Sequence, residues 1–507
     1  MAEMKHYTLG EYVKLLEEKG MLAEYDLQGK DGEEIKLLTY DSREVTQGTL
    51  FICKGAAFKA EYLKNSMNQG AVCYVSEKKY ELEKEVPYIL VKGIRDAMAV
   101  LANFFYNKPW EDLAVIGFGG TKGKSTSTYY MKAVVDDYLA AQDKPESAVI
   151  STIDIYDGKS KVESHITTPE AVELQMHLRN ALDCNIEYAE MEISSQALKY
   201  GRVDEMQFDV SVFLNISEDH ISPIEHPDFE DYFQSKMKMF EKSKTAVVNL
   251  DADYIDQILE ASKAAREVVT FSTKNPEADY YAYNIHKEGK DIHFSVKCEA
   301  FDEEFVLTMP GFFNVENALG VVAASVKLGI PTEYIHSGLR RARSSGRMEF
   351  YHSKDHEIMA IVDYAHNKLS FEKLFSAMKE EFPDYSLVAI FGCPGKKSLL
   401  RRKYLGTIAG QYSKMVYLVA EDPGYEPVED ISKEIAQYVE AQNCPYKMIE
   451  DRGEAIKDAI ETAEGKTLLL VTGKGAETRQ KYGCEYLDCP SDVEYVQRYL
   501  AEYDSRH

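Results

Sequence analysis

The stretch Leu113–Thr126, LAVIGFGGTKGKST, joins an apolar run to a glycine-rich turn and leads into the helical pattern STYYMKAVVDDYL. Glycines let successive backbone N–H groups face a phosphate, and the helix that follows adds the positive end of its dipole. In such a loop Lys124 would reach the β- and γ-phosphates of a nucleotide, and Ser125 would ligate Mg²⁺. The predicted nucleotide-binding residues of this loop are Gly120, Thr121, Lys122, Gly123, Lys124, Ser125 and Thr126.

An ordinary glycine-rich turn between a strand and a helix is the alternative interpretation of this stretch. Phe118 stands where the general phosphate-loop pattern has its first glycine, so the stretch fits the narrower pattern GTxGK[ST]. The sequence GKST in a strand-to-helix context nevertheless favours the phosphate loop.

Seven later apolar runs have the same form, each ending in a polar or glycine-rich cluster before a helical stretch. Continuous β-rich runs that alternate with helices predict parallel strands covered on both faces, and ligands of such sheets bind at the carboxyl ends of the strands. The runs begin at Ile186, Val210, Thr245, Ile358, Ser386, Lys414 and Thr467. We therefore predict an α/β protein with doubly covered parallel sheets.

The length of 507 residues suggests about three domains. One predicted helix stops before Pro109, and another ends in the small residues Ser344-Ser345-Gly346. These breaks divide the chain into an N-terminal domain (1–108), a central phosphate-loop domain (109–345) and a C-terminal Rossmann-like domain (346–507). The N-terminal domain is predicted to be a smaller α/β unit. Residues 270–308 alternate like antiparallel strands and are predicted to form a side sheet of the central domain.

The composition argues against several classes of partner. A formal net charge of −26 disfavours nucleic acid and anionic membrane surfaces, so neither is expected as a partner. The eight cysteines contain no CxxC pair, and no apolar run approaches the roughly 18 residues that span a membrane. The start of the chain has an acidic amphipathic pattern and not that of a signal peptide. We expect a cytoplasmic protein with reduced thiols, and a monomer.

Five motifs in order along the chain resemble those of the Mur ligase family. They are GTKGKST, TTPE (Thr167–Glu170), EISSQAL (Glu192–Leu198), NISEDH (Asn215–His220) and DYAHN (Asp363–Asn367). The resemblance implies an N-terminal domain that binds a uridine nucleotide, a central ATPase domain and a C-terminal domain that delivers an amino acid. It implies an ATP-dependent ligase of peptidoglycan synthesis that joins a free amino acid to a UDP-N-acetylmuramoyl-dipeptide, UDP-N-acetylmuramoyl-L-alanyl-D-glutamate, through an acyl phosphate.

The same resemblance implies two Mg²⁺ sites, ligated by Ser125 and Glu192 and by His220 and Lys236. A cationic lysine repels Mg²⁺, and the family's matching lysine is carbamylated, so carbamylation of Lys236 is a hypothesis. The predicted catalytic residues are Lys124, Glu192, His220 and Lys236. The alternatives are a solvated helix lysine at Lys236, as expected for Lys238, and a polar cap at His220. Glu192 ends an apolar strand, where a carboxylate is costly unless paired.

Further contacts follow from the same resemblance. The predicted nucleotide contacts outside the loop are Asn314, Asn317, Arg347, Asp363 and His366. The predicted precursor contacts are Ser42, Arg43, Thr167, Thr168, Ser194 and Arg202. A helix cap is the alternative for either asparagine, and a structural salt bridge is the alternative for Arg202, whose planar fork suits a carboxylate or pyrophosphate.

The identity of the added amino acid is suggested by one segment. Family members that add meso-diaminopimelate have Asp-Asn-Pro-Arg, whereas this chain has Glu421-Asp422-Pro423-Gly424. Because Gly424 offers no side chain to a distal carboxylate, L-lysine fits best, with its distal ammonium held by Glu421, Asp422 and Glu477. Lys397 stands where the family usually has an arginine for the α-carboxylate. Addition of meso-diaminopimelate or ornithine stays open.

Two other functions stay open. A ligase like folylpolyglutamate synthetase would lack the N-terminal DSREVTQGTLF module at residues 41–51. A non-catalytic nucleotide-binding paralogue would be expected to lose Lys124, Glu192, His220 or Lys236, and all four are present.

Overall fold

The computed structural model describes residues 4–55, 58–164, 166–219, 221–222, 225–343, 346–396 and 399–507. Its strands form three separate large sheets and one hairpin. The α/β class predicted from the sequence is confirmed. Among the described residues, no helix is long and apolar enough to cross a membrane. The boundaries expected near residues 108 and 345 stay predictions.

The first sheet has five strands in the order β1-β5-β4-β3-β2, parallel except for β1. Its strands β3, β4 and β5 are buried throughout, as their unbroken apolar runs require. The elements are α1 (Leu9–Glu18), β1 (Leu22–Asp26), β2 (Leu37–Thr39), β3 (Thr49–Ile52), α2 (Ala60–Gln69), β4 (Ala71–Ser76), β5 (Tyr88–Val91) and α3 (Ile94–Phe105).

The second sheet has eleven strands in the order β16-β15-β14-β13-β12-β11-β6-β10-β7-β8-β9. A 3₁₀ turn at Pro109–Glu111 precedes it. Strands β8 and β9 pair antiparallel at one edge. The elements from β6 to β13 are β6 (Ala114–Gly119), α4 (Lys124–Ala140), β7 (Ala148–Ile150), β8 (Asp154–Tyr156), β9 (Lys161–Glu163), α5 (Ala171–Asp183), β10 (Tyr188–Glu192), α6 (Ser195–Lys199), β11 (Phe208–Phe213), α7 (Phe229–Glu241), β12 (Ser243–Asn249), α8 (Ile255–Ser262) and β13 (Glu267–Ser272).

The antiparallel strands expected at residues 270–308 are present, but they do not form a sheet of their own. Strand β13 pairs in parallel with β14 through Phe271–Tyr280 and Ser272–Tyr281, so the antiparallel strands extend the main sheet. Two helices then close the domain. These elements are β14 (Tyr280–Glu288), β15 (Asp291–Lys297), β16 (Asp302–Leu307), α9 (Phe313–Lys327) and α10 (Thr332–Arg341).

The third sheet has six strands in the order β17-β18-β22-β19-β20-β21, parallel except for β17, beside a hairpin of β23 and β24. The elements are β17 (Glu349–His352), β18 (Ile358–Asp363), α11 (Lys368–Glu381), β19 (Ser386–Phe391), α12 (Leu400–Tyr412), β20 (Met415–Leu418), α13 (Val428–Glu440), β21 (Tyr446–Met448), α14 (Arg452–Glu461), β22 (Thr467–Thr472), β23 (Arg479–Tyr482), β24 (Glu485–Asp488) and α15 (Asp492–Arg506).

The carboxyl ends of β6, β10 and β11 lie side by side, because β6 pairs in parallel with both neighbours. The polar clusters that follow these strands therefore meet at one edge of the central sheet. The carboxyl end of β18 faces the same edge, since Asp363 and the phosphate loop line one cavity. The polar segments predicted from the sequence thus line a cleft between the central and C-terminal domains.

Candidate active site

The phosphate loop depends on two glycines with left-handed backbone. Gly120 has φ +138° and Gly123 has φ +85°, and α4 begins at the next residue, Lys124. A Cβ at Gly123 would lie 2.2 Å from Oδ1 of Asn317, and one at Gly120 would lie 3.2 Å from backbone atoms of Asn215. Side chains at these two positions would collide with Asn215 and Asn317 beside the phosphate loop, which explains the glycines of the motif.

Three lysines line the loop: Lys236 is buried, and Lys122 and Lys124 are partly exposed. The ammonium of Lys124 donates to the carbonyls of Gly120 and Thr121 at 3.1 and 3.2 Å, and that of Lys236 donates to the Gly120 carbonyl at 2.7 Å. Burial lowers the pKa of Lys122 to about 8, lowers that of Lys124, and lowers that of Lys236 well below its ordinary value. The ammonium groups of Lys122 and Lys124 repel each other at this separation, and a polyanion such as a triphosphate would stabilise both.

Lys236 is not a solvated helix residue. It lies on α7 with 3% of its surface exposed, and its ammonium is 4.9 Å from the ring centroid of Tyr232. Lys238, two residues further along the helix, is exposed, as expected from the sequence. The side chain of Lys236 therefore points into the loop that Lys124 also lines.

Glu192 ends β10 and is almost fully buried. One carboxylate oxygen, Oε1, accepts a hydrogen bond of 2.8 Å from the backbone N–H of Thr152. Glu192 and Ser125 line the same cavity, so the carboxylate and the hydroxyl suit a hard cation bound beside phosphate oxygens. Within the described part of the chain, no group of three or more His, Cys, Asp or Glu side chains could hold a metal, and His220 lies outside it.

The C-terminal domain closes the cleft over the loop. Nη2 of Arg347 donates to Oγ of Ser125 at 3.1 Å, and its guanidinium lies 4.3 Å from the ring centroid of Tyr364. Asp363 accepts from the backbone N–H groups of Met348 and Ala365, at 2.9 and 2.7 Å, and burial raises its pKa. The cavity between the two domains measures about 260 Å³ and is open to solvent on one side. Thr126 lines it as well.

Two predicted nucleotide contacts form a pair on α9. Nδ2 of Asn317 donates to Oδ1 of Asn314 at 3.1 Å, and Nδ2 of Asn314 donates to the Pro310 carbonyl at 2.7 Å. Asn317 also lines the cavity. His366 lies opposite, where burial lowers its pKa well below the ordinary value, so its ring is neutral. Its Nδ1 donates to the carbonyl of Tyr364 at 2.7 Å.

Asp219 joins the two domains, a role that was not assigned from the sequence. Its carboxylate lies 3.3 Å from Nζ of Lys122 in the phosphate loop and 3.6 Å from Nη2 of Arg401 in α12. Nδ2 of Asn367, the N-cap of α11, donates to the same carboxylate. The motifs NISEDH and DYAHN contain Asp219 and Asn367, but only the fold brings these two side chains together.

The precursor residues fall into two groups. Oγ1 of Thr168 lies 3.2 Å from Oγ of Ser194, Nη1 of Arg202 donates to the Thr168 carbonyl at 3.1 Å, and Oγ1 of Thr167 accepts from Thr152 at 3.2 Å. Arg202 also pairs with Glu170 at 2.8 Å. Ser42 and Arg43 are not joined to this group by any described contact. The Arg43 side chain is 87% exposed and pairs with Asp41 in its own loop.

The predicted amino-acid residues surround a lysine of the chain itself. Nζ of Lys474 lies 3.1 Å from Asp422 and 2.5 Å from Glu477, both through carboxylate oxygens. Glu421 is buried, which raises its pKa to about 7, and its Oε2 has no hydrogen-bond partner among the described residues. Lys397 lies outside the described residues. The sequence analysis did not assign Lys474, although GKGAE contains it.

A phosphate loop lined by three lysines and covered by a second α/β domain defines an enzyme that uses a nucleoside triphosphate. Two family descriptions match the chain, the Mur ligase middle domain over residues 119–325 and the Mur ligase, glutamate ligase domain over residues 346–475. The chain belongs to the Mur ligase family, as the motifs suggested. Members of this family are ATP-dependent ligases.

Individual relatives cover almost the whole chain. The UDP-N-acetylmuramoyl-L-alanyl-D-glutamate--L-lysine ligase of Enterococcus faecalis is 38% identical over 456 residues, 88% of each chain. The UDP-N-acetylmuramyl-tripeptide synthetase of Lactobacillus acidophilus is 31% identical over 519 residues, 98% of each chain. A solved UDP-N-acetylmuramoyl-L-alanyl-D-glutamate--2,6-diaminopimelate ligase superposes with a TM-score of 0.66 at 22% identity, over 99% of this chain and 100% of the other. This last likeness concerns the fold alone.

Proposed function

We propose that the chain is a cytoplasmic ATP-dependent ligase that adds L-lysine to UDP-N-acetylmuramoyl-L-alanyl-D-glutamate in peptidoglycan synthesis. The observation that carries the proposal is the convergence of Lys122, Lys124 and Lys236 on a loop that Arg347 of the next domain closes. The 38% identity to a relative named as an L-lysine ligase supports the choice of amino acid.

In the first step an oxygen of the D-glutamyl carboxylate attacks the γ-phosphorus of ATP, and the bond from that phosphorus to ADP breaks. Carboxylate and triphosphate repel each other at contact distance, so neutralisation and positioning supply most of the rate. Lys124 and Lys122 offset the charge of the phosphates. The buried Nε of Arg202, which has no hydrogen-bond partner within the described residues, suits an anionic group of the precursor.

Mg²⁺, held by Ser125 and Glu192, with a second ion near His220 and Lys236, would supply further charge neutralisation. We propose that Lys236 is carbamylated: its neutral amine attacks the carbon of CO₂, a C–N bond forms, and one proton is released. The low pKa that burial imposes on Lys236 favours the neutral amine that this reaction needs. The carbamate is an anion, which suits a place beside the two cationic side chains of Lys122 and Lys124.

In the second step the neutral α-amine of lysine attacks the acyl carbon, and the bond from that carbon to the phosphate oxygen breaks. Phosphate leaves with the carboxylate oxygen that attacked ATP and takes up the proton that the amine loses. Asp422 and Glu477 carry two negative charges against the one positive charge of Lys474, so the group retains an attraction for the distal ammonium of the substrate. The unpartnered oxygen of Glu421 adds an acceptor. Gly424 has no side chain that could bind a second carboxylate.

Phosphate release by the purified protein tests the proposal. ATP, Mg²⁺ and the UDP-dipeptide would be combined with L-lysine, meso-diaminopimelate or L-ornithine in turn, and products identified by mass. We expect release that requires both precursor and amino acid and is fastest with L-lysine. Lys124→Ala should abolish it, and Lys238→Ala, which changes an exposed lysine, should not. Release without precursor, or none from the wild type, would contradict the proposal.

A further inference from the structure

His226 lies between two helices at the back of the active site. Its Nδ1 is 2.6 Å from Oδ2 of Asp231 on α7, and its Nε2 is 2.9 Å from Oγ of Ser195 on α6. The side chain is completely buried. A carboxylate only accepts hydrogen bonds, so Nδ1 carries the proton of that contact, and Nε2 shares a hydrogen bond with the Ser195 hydroxyl. Lys199 holds the same carboxylate at 2.6 Å.

The order Ser, His, Asp resembles a hydrolase triad, but burial excludes that chemistry. Ser195 is only 4% exposed and His226 is not exposed at all, so no substrate carbonyl could approach the hydroxyl. The three side chains instead connect two pieces of backbone. Ser195 begins the helix that follows Glu192, and Asp231 lies on the same helix as Lys236, five residues earlier.

A second path connects this group to the phosphate loop. The ring of Tyr232 meets the His226 ring edge to face at 5.2 Å, and its hydroxyl lies 2.9 Å from Oγ1 of Thr121. Thr121 in turn accepts at 3.0 Å from the backbone N–H of Ser217. Through Ser195, Asp231 and Tyr232, His226 is therefore linked to three segments: α6, α7 and the phosphate loop.

We propose that His226 is a positioning residue for the metal-binding half of the site: by holding Ser195 and Asp231 together, it fixes the separation between Glu192 and Lys236. The assignment of Glu192 and Lys236 as metal-binding residues rests on the proposed function. Partners behind a metal site orient the groups that face the ion, and their loss costs metal affinity although they do not touch the metal.

The chain offers a matched control for this proposal. His177 on α5 is also buried and pairs through Nδ1 with Oδ2 of Asp157 at 2.7 Å, in the same domain. Neither His177 nor Asp157 lines the nucleotide cavity. His177→Asn and His226→Asn therefore remove similar buried His–Asp contacts, and only the second removes a link between α6 and α7. Ser195→Ala cuts the same link from its other end.

Calorimetric titration of the full chain with Mg²⁺ and a nonhydrolysable ATP analogue provides a readout that does not need ligation. We expect His226→Asn and Ser195→Ala to weaken the Mg²⁺-dependent binding about tenfold, and the double variant to add little. In ligation assays the KM for Mg²⁺ should rise more than kcat falls. His177→Asn should lower the thermal midpoint but leave binding within about twofold of the wild type.

Unchanged Mg²⁺-dependent binding in Ser195→Ala and His226→Asn, or an equal loss in His177→Asn, would overturn the proposal. If His226→Asn does not fold, Ser195→Ala decides by the same criterion. Failure of the proposed function is distinguishable, because binding is measured without precursor or lysine. A wild type that binds the nucleotide but does not ligate would refute the function while the variants still test the role of His226.

Discussion

Nη2 of Arg347 lies 3.1 Å from Oγ of Ser125, so a residue of the C-terminal domain contacts the phosphate-loop residue that follows Lys124. The contact joins a predicted nucleotide ligand to a predicted Mg²⁺ ligand across the cleft. The C-terminal domain is therefore in direct contact with the phosphate site.

Arg347→Ala should lower kcat/KM for ATP by about a hundredfold, because it removes both a cation and the contact that closes the cleft. Steady-state kinetics with saturating precursor and lysine would measure the change. Arg341→Ala is the control, since this arginine pairs with Asp137 away from the cavity and should leave the kinetics unchanged. Equal losses in both variants would contradict this role of Arg347.

Nucleotide affinity should fall as the pH rises through about 8. Burial lowers the pKa of Lys122 to about 8, so its ammonium is present below that pH and loses its proton above it. A neutral Lys122 no longer attracts phosphate oxygens, and the Kd for the ATP analogue should rise. Lys122→Arg keeps its charge throughout this range and should flatten the profile. A profile that is the same in both proteins would exclude Lys122 as its cause.

Lys236 should bind CO₂. With ¹³C-bicarbonate, NMR of the wild type should give a carbamate carbon signal that is absent from Lys236→Ala and retained in Lys238→Ala. Ligation by Lys236→Ala should fall by at least about a hundredfold, because an anion and its metal contact are lost. Persistence of the signal in Lys236→Ala, or near-normal ligation by that variant, would contradict the carbamate.

Asp422→Asn and Glu477→Gln should each raise the KM for L-lysine about tenfold and change the KM for ATP little, because one charge facing the distal ammonium is removed. Initial rates at varied lysine and varied ATP separate the two constants. Glu429→Gln, on an exposed residue of α13, serves as control. A matching rise in the KM for ATP would indicate a general disturbance of the C-terminal domain.

Short-range patterns predicted the parts of the structure that depend on neighbouring residues. The phosphate loop and the parallel strands follow from spacing and apolar runs, since each element is encoded within a few residues. The pairing of β13 with β14 was missed because it joins separate segments whose register no local pattern encodes.

The contacts missed at the site have a similar cause. Asp219 meets Asn367 and Arg401 only because two domains close on each other. Lys474 lies between Asp422 and Glu477 because a glycine-rich loop turns its side chain inward. Arg43, matched by motif to the precursor, pairs within its own loop, and its role stays a prediction.

The central claim is that ligation proceeds through an acyl phosphate. Following one oxygen atom of the precursor tests it most directly. Precursor labelled with ¹⁸O in the D-glutamyl side-chain carboxylate would be ligated to L-lysine, and the released phosphate analysed by mass. An acyl phosphate requires that one labelled oxygen pass from the carboxylate to each phosphate, so we predict phosphate carrying one ¹⁸O. Unlabelled phosphate alongside the lysine-containing product would contradict the account.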